Sequence, residues 1–173
     1  MTKAVLTKEE LFTAINEVVL LLTNLMLSLD EKDVNRIPYQ DSWNAGQLLR
    51  HVTKSTNVMA KAMLAEVKTP ERNFTDKVPH LKKTFLDFTQ KFDSPDFIVP
   101  EDENYHKQTA VEELIAAFEK FKENANKTDL NGLVEGLPFG STTKIELLHF
   151  VLYHTERHLN QMQRICESLN KLD

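Results

Sequence analysis

The stretch TKIELLHFVLYHTERHLNQMQRICESL, residues 143–169, decides the fold, because it has the pattern of one long amphipathic helix. Thr143 followed by Glu146 is a capping box at its start. Along the stretch, inward positions recur at alternating steps of four and three residues, as in the seam of a bundle helix. The seam consists of Leu147, Val151, His154, His158, Gln161 and Ile165. It predicts a buried helix with two histidines on its inner face.

Three further stretches predict helices of the same kind, each opened by a capping box, at Thr7, Asn44 and Thr109. The second of these should run to about Val67. Residues 30–43 are predicted to form a loop. Only four glycines interrupt the 173 residues, so long helices are favoured. We therefore predict an all-α fold, a four-helix bundle forming one domain over residues 1–173.

The connection between the second and third of these helices, residues 68–108, is expected to be long and partly irregular. It holds four of the six prolines of the chain. Within it, VPHLKKTFLDFTQKF, residues 78–92, has the pattern of a short helix. A connection of this length in a small domain is typical of a lid or a crossover.

Composition excludes several classes of protein. With 21 basic and 26 acidic residues the net charge is -5, which argues against a nucleic-acid-binding surface. One cysteine, Cys166, permits no disulfide within the chain and fits a reducing compartment. We see no signal peptide, and the longest apolar run, residues 18–22, is far shorter than a membrane span. A cytoplasmic protein without membrane partners is expected.

Histidines are the candidate site residues. His154 and His158 lie one helical turn apart, about 6 Å along the axis, so their imidazoles can converge on one ion. His51 shares the inward face of the second predicted helix with Leu48 and Ser55. Three nitrogen ligands would leave a coordination position open for water or substrate. The alternative is that these are core histidines whose nitrogens are satisfied by hydrogen bonds.

Other residues near the seam are predicted to play smaller parts. His149 is rotated by about 140° from His154 around the helix and should face elsewhere. Glu156 and Arg157 should form a solvated pair on the outer side. Trp43 is interpreted as packing at the start of its helix, or alternatively as lining the mouth of the site.

Two motifs resemble the DinB/YfiT-like superfamily. DSWNAGQLLRHVTKSTN, residues 41–57, contains a Ser-Trp pair, a capped helix and a histidine eight residues after the tryptophan. YHTERHLNQM, residues 153–162, contains H-x-x-x-H followed by a glutamine three residues on. The glycine loop before the last helix, PFGSTTKIELLHF, fits the same pattern. The likeness extends over nearly the whole chain.

This resemblance implies a four-helix bundle with an unusual connection order and a metal site formed by His51, His154 and His158. It implies a divalent metal ion, zinc or nickel, and in some members a low-molecular-weight thiol cosubstrate. Members include thiol S-transferases and hydrolases that act on small molecules, and homodimers are common.

The chemistry expected of such a site is activation of a bound thiol or water as a nucleophile. Gln161, Tyr153 and Ser55 are candidates for supporting roles beside the three ligands. The alternative function is a non-catalytic, metal-binding helical bundle that acts through a partner. The apolar run at residues 18–22 surrounds its helix, and this favours a homodimer formed by bundle helices. The alternative is that neighbouring helices within the bundle cover it.

Overall fold

The computed structural model describes residues 5–171, most of which are helical. The elements in chain order are α1 Lys8–Ser28, α2 Glu31–Val34, α3 Ala45–Ala62, α4 Val78–Phe85, a 3-10 turn Asp96–Ile98, α5 Lys107–Ala125, strands β1 Leu133–Val134 and β2 Thr142–Thr143, and α6 Lys144–Asn170. The two short strands pair antiparallel just before α6. The prediction of an all-α four-helix bundle is confirmed, with α1, α3, α5 and α6 as its four long helices.

The connection order of the bundle follows from which helices pack together. Helix α1 packs against α5 and α6, and α3 packs against the same two helices. The consecutive long helices α1 and α3 therefore occupy opposite corners, as do α5 and α6. This arrangement places α3 beside α6, although more than eighty residues separate them in the chain. It also requires the long connection, within which α4 packs against α6.

Three of the four predicted capping boxes are present, at Thr7, Asn44 and Thr143. The prediction of the fourth capping box, at Thr109, is wrong. Helix α5 begins two residues earlier, at Lys107, and the side chain of its N-cap residue, His106, forms no capping hydrogen bond. A carboxylate oxygen of Glu31 accepts the backbone N–H of Lys107 at 3.1 Å instead. Glu31 belongs to α2, a short helix inside the segment that was predicted to be a loop.

Helix α3 ends at Ala62 rather than near Val67, because the chain leaves the helix to pair with β1. The backbones of Lys68 and Leu133 exchange two hydrogen bonds of 2.9 Å. The side chain of Val67 lies so close to Gly132 that a Cβ atom there would be 2.6 Å from it. A longer helix would break this pairing.

A buried ion pair anchors the long connection to the start of α6. The guanidinium of Arg72 donates to both carboxylate oxygens of Glu146, at 2.6 and 2.7 Å. The same carboxylate accepts the backbone N–H groups of Lys77, at 2.8 Å, and of Thr143, at 2.9 Å. The Glu146 side chain is fully buried, so one carboxylate joins the helix cap to the connection.

Replacing Gly46 by alanine should destabilise the protein, although alanine is the better helix former by about 1 kcal/mol. A Cβ atom at Gly46 would lie 2.6 Å from the Cβ of Tyr105. Tyr105 is held by hydrogen bonds from its backbone and its hydroxyl, so it has little room to move. We expect overpacking to cost roughly 1–3 kcal/mol in urea unfolding. Asn57→Ala, at an exposed position of the same helix, should not destabilise the fold.

Candidate metal centre

Three histidines from two helices meet inside the bundle. His51 comes from α3, and His154 and His158 come from α6. All three are buried, and one nitrogen from each ring lies within 4.8 Å of the other two. The Nε2 atoms of His154 and His158 are 3.1 Å apart. The diagonal arrangement of the bundle produces this convergence by bringing α3 beside α6.

The structure orients two of these rings through the nitrogen that faces away from the cluster. His51 Nδ1 lies 3.0 Å from the carbonyl oxygen of Ile98, and His158 Nδ1 lies 3.0 Å from Oε1 of Gln161. Both partners are acceptors, so each Nδ1 carries the proton and each Nε2 presents a lone pair to the cluster. Hydrogen bonds of this kind set the tautomer and orientation of metal-binding histidines.

Electrostatics keep the three imidazoles neutral. Burial lowers the pKa of His51, of His158 and of His154, in the last case to about 3. The neighbouring imidazoles add to this effect at His154 and His158. Neutral imidazole is the form that binds a metal ion, so at neutral pH no proton has to leave before coordination.

The segment that contains the Ile98 carbonyl is itself held in place by α3, through Val99 and Glu101. Lys54 of α3 donates to the carbonyl of Val99 at 2.8 Å and to Glu101 at 2.9 Å, and Arg50 donates to Glu101 at 2.9 Å. Hydrogen bonds from Arg50 and Lys54 lower the pKa of Glu101 to about 2. These contacts were not predicted from the sequence. The only sequence signal for them is the presence of two basic residues near His51, Arg50 one position before it and Lys54 three positions after it.

A large cavity opens onto the histidines, with a volume of about 1070 Å³. Its walls come from the loop before α3, from the middle and end of α3, from α4 and the segment after it, from the loop before α6, and from α6 itself. Trp43 lines it, with its ring 4.8 Å from that of His51, so the side chain both packs beside the helix and borders the site. Gln161 and Ser55 also line the cavity.

Arg157 lies between α6 and the segment that follows α4, in contrast to the solvated outer position predicted for it. Its guanidinium donates to the carbonyl oxygens of Phe85, Asp87 and Gln90. It also stacks over the Phe92 ring at 4.7 Å. These contacts hold the segment that forms one wall of the cavity.

The remaining candidates lie away from the cluster. Tyr153 is buried beside His149, with ring centroids 6.0 Å apart, and does not border the cavity. His149 accepts the backbone N–H of Leu6 at Nε2 and lies 2.9 Å from the Ile145 carbonyl at Nδ1, so both its nitrogens are used in the core. Cys166 is buried, and burial raises the pKa of its thiol.

Comparison with known proteins agrees with this architecture. A solved structure of YfiT from Bacillus subtilis, described as a probable metal-dependent hydrolase with an unusual four-helix bundle topology, superposes with a TM-score of 0.61. The alignment covers 98% of this chain and 93% of that one at 13% sequence identity, which shows a common fold. No curated protein sequence matches this chain.

The family assignment comes from the sequence profile of the DinB superfamily, which matches residues 16–162. The matched region contains both helices that carry the histidine cluster, and it ends just after Gln161. Because the match covers most of the chain, this protein belongs to the DinB superfamily.

Proposed function

We propose that His51, His154 and His158 bind a divalent metal ion, zinc or nickel, and that the protein is a metal-dependent enzyme. The observation that carries the proposal is the convergence of three neutral, buried imidazoles at the floor of a large cavity. Membership of the DinB superfamily and the description of YfiT as a probable metal-dependent hydrolase support it.

The donor set fits such an ion. Within residues 5–171 the group consists of three histidines and no carboxylate or thiolate. A structural zinc site is normally closed by four protein ligands, whereas a catalytic site leaves one position open. Bound there, the ion would act as a Lewis acid that lowers the pKa of a water or thiol ligand.

We assign the reaction to nucleophilic attack by a thiol or by water, as in a thiol S-transferase or a hydrolase. The residues of the chain contribute by position. Ile98 and Gln161 hold two of the imidazoles in orientation, and the ring of Phe150 stacks on the third, that of His154. A low-molecular-weight thiol would enter through the cavity as a cosubstrate. Ser55 and Gln161 are close enough to contact it, since both border the cavity.

The alternative is a metal-binding bundle without catalytic activity that acts through a partner protein. The cavity favours the enzyme, because a partner-binding bundle has no need for a chamber of about 1070 Å³ beside its metal ligands.

Trp43 makes the metal proposal directly testable. It is the only tryptophan in the chain and lies 4.8 Å from His51, so its fluorescence reports on the centre. Titration of metal-free protein with Ni²⁺ should quench this fluorescence and saturate at one ion per chain. The loaded protein should then be assayed with thiol–electrophile pairs and with esters and amides. Failure to bind Ni²⁺ or Zn²⁺ at micromolar concentration would contradict the proposal.

We also propose a cytoplasmic homodimer formed through α1. By length and composition alone α1 could cross a membrane, but Leu11, Ile15 and Leu22 on its inner face are buried in the bundle. On its outer face Leu20 is 59% and Leu21 52% exposed, and we assign this face to a second copy rather than to lipid.

The molecular mass in solution tests the proposed dimer separately from the metal site. Light scattering should give about 40 kDa, twice the 20.0 kDa of one chain, as a two-fold symmetric dimer requires. Replacing Leu20 and Leu21 by lysine should halve that mass, because the burial of apolar area would be lost. A wild-type mass near that of a single chain at micromolar concentration would be evidence against the dimer.

A further inference from the structure

The cavity has an apolar part beside the histidines. Phe150 stacks on the His154 ring, with centroids 5.2 Å apart and planes 29° apart. Phe85 and Phe139 contact Phe150 in turn, at 5.0 and 4.5 Å. These rings form a continuous apolar wall that ends at the cluster, and such a wall favours a ligand with an aromatic or aliphatic body.

The charged side chains around the same cavity are mostly basic. Four cations line it, from Lys77, Lys91, Arg157 and Arg164, and two carboxylates, from Asp41 and Asp93. Four minus two leaves an excess of two positive charges, in a chain whose net charge is -5. The cavity is therefore a local positive region on an acidic protein.

Two of these cations lie near Tyr39, which also borders the cavity. Arg164 donates to the Tyr39 hydroxyl at 3.3 Å. Burial raises the pKa of Tyr39, but hydrogen bonds from Arg164 and Ser42, with the charges of Arg164 and Lys91, lower it overall. In the part of the chain described, neither Arg164 nor Lys91 pairs with a carboxylate. Like charges grouped without a counter-ion are electrostatically suited to an anion.

Arg164 borders the same cavity as the histidines, from a position about 120° around α6 from His158 at 100° per residue. It follows Gln161 by three residues and His158 by six, which corresponds to about 9 Å along the helix axis. Side chains on a helix lean toward its N-terminus, so the guanidinium leans back over the turn that contains Gln161. Arg157, which is nearer in the chain, already donates to three backbone carbonyls, whereas among residues 5–171 Arg164 donates only to the Tyr39 hydroxyl.

We propose that the cavity binds small organic acids, with the acid group held by Arg164 and Lys91 and an apolar body lying against the Phe150 wall. Along α6 the histidines lie between Phe150 and Arg164, so this places the ligand across the three histidines. The catalytic meaning of that position rests on the proposed function. The acid group is a carboxylate or a phosphate, since the planar guanidinium of arginine binds both through paired hydrogen bonds. Tyr39 contributes its hydroxyl as an additional polar contact.

The test measures binding to metal-free protein, so that it is independent of metal loading and of catalysis. Trp43 fluorescence is followed while 3-phenylpropionate, phenyl phosphate and the uncharged 3-phenylpropionamide are titrated separately. At least one of the acids should bind about fivefold or more tightly than the amide, and the tighter acid identifies the preferred group. Raising the salt concentration should weaken the binding of the acids and leave the binding of the amide unchanged.

Variants locate the effect. Arg164→Gln combined with Lys91→Gln should abolish the preference for acids while the amide still binds. Lys83→Gln, which removes an exposed charge on α4 outside the cavity, should preserve the preference. Equal affinity for acids and amide, or a preference that survives the double substitution, would overturn the proposal. Ni²⁺ quenching of Trp43 measured on the same samples shows separately whether the metal proposal holds.

Discussion

Replacing His158 by alanine should lower the affinity for zinc or nickel by more than about 100-fold, while the bundle remains folded. Losing a group that merely orients a ligand costs about 10–100-fold, and removing a ligand should exceed that. The fold should survive because the rest of the α6 seam is apolar and buried, including Leu147 and Ile165, both fully buried. Metal content and Trp43 quenching measure the first effect, and the melting temperature measures the second. The metal-free variant should melt no lower than the metal-free wild type, because a buried polar cluster is unfavourable without its ion.

His149→Ala is the matched control on the same helix. His149 is fully buried, and its Nε2 accepts the backbone N–H of Leu6 at 3.1 Å. Losing that acceptor should lower stability by about 1–3 kcal/mol, the usual cost of an unpaired polar group. The stoichiometry of bound metal should stay unchanged. If His149→Ala lost the metal and His158→Ala kept it, the assignment of the site would be wrong.

Arg72→Ala should destabilise the protein by about 3–5 kcal/mol, as expected when one partner of a buried ion pair is removed. Glu146 would keep two backbone hydrogen bonds but no cation, in a position where its side chain is fully buried. The side chain of Arg72 is 29% exposed, which places the expected loss at the lower end of that range. Urea unfolding measures the change in the free energy of unfolding.

Two controls separate this effect from general loss of charge. Lys127→Ala removes a cation from an exposed pair with Glu123 and should change stability far less. Glu146→Gln combined with Arg72→Ala should cost less than the sum of the single changes, because the unpaired charge is gone. Additive losses would show that the two side chains do not stabilise each other.

The pair should also give stability an acid dependence. Burial alone would raise the pKa of Glu146, but hydrogen bonds from Arg72, Lys77 and Thr143 outweigh it and lower the pKa. A group with a lowered folded pKa contributes stability above its unfolded pKa, about 4.3 for glutamate, and loses it as the pH falls through the folded value. Arg72→Ala should therefore make the free energy of unfolding less sensitive to pH in that acidic range.

The sequence by itself determined the features that depend on neighbours a few residues apart. Helical periodicity and three capping boxes located α1, α3 and α6, because a helix is stabilised by contacts within four residues along the chain. The same spacing placed His154 and His158 on one inner face. The motifs around Trp43 and His158 were enough to suggest the superfamily, which the sequence profile shows.

The failures of the sequence reasoning occur where a distant segment competes with local preference. Thr109 has the pattern of a helix cap, yet α5 begins earlier because Glu31, 76 residues away, accepts the Lys107 N–H. Helical periodicity predicts that Arg157 is a solvated surface residue. In the structure it binds carbonyls of the segment after α4, about 70 residues away. Periodicity contains no information about either contact.

Only the tertiary structure decided how the site is assembled. Because α1 and α3 occupy opposite corners of the bundle, α3 lies beside α6, and His51 meets the α6 histidines. The Ile98 carbonyl that orients His51 comes from 47 residues away. The cavity, its aromatic wall and its positive charges are formed by segments that no local pattern connects. Helix formation is a local equilibrium that sequence spacing describes, whereas the site depends on which apolar faces bury one another, and that is decided by the whole chain.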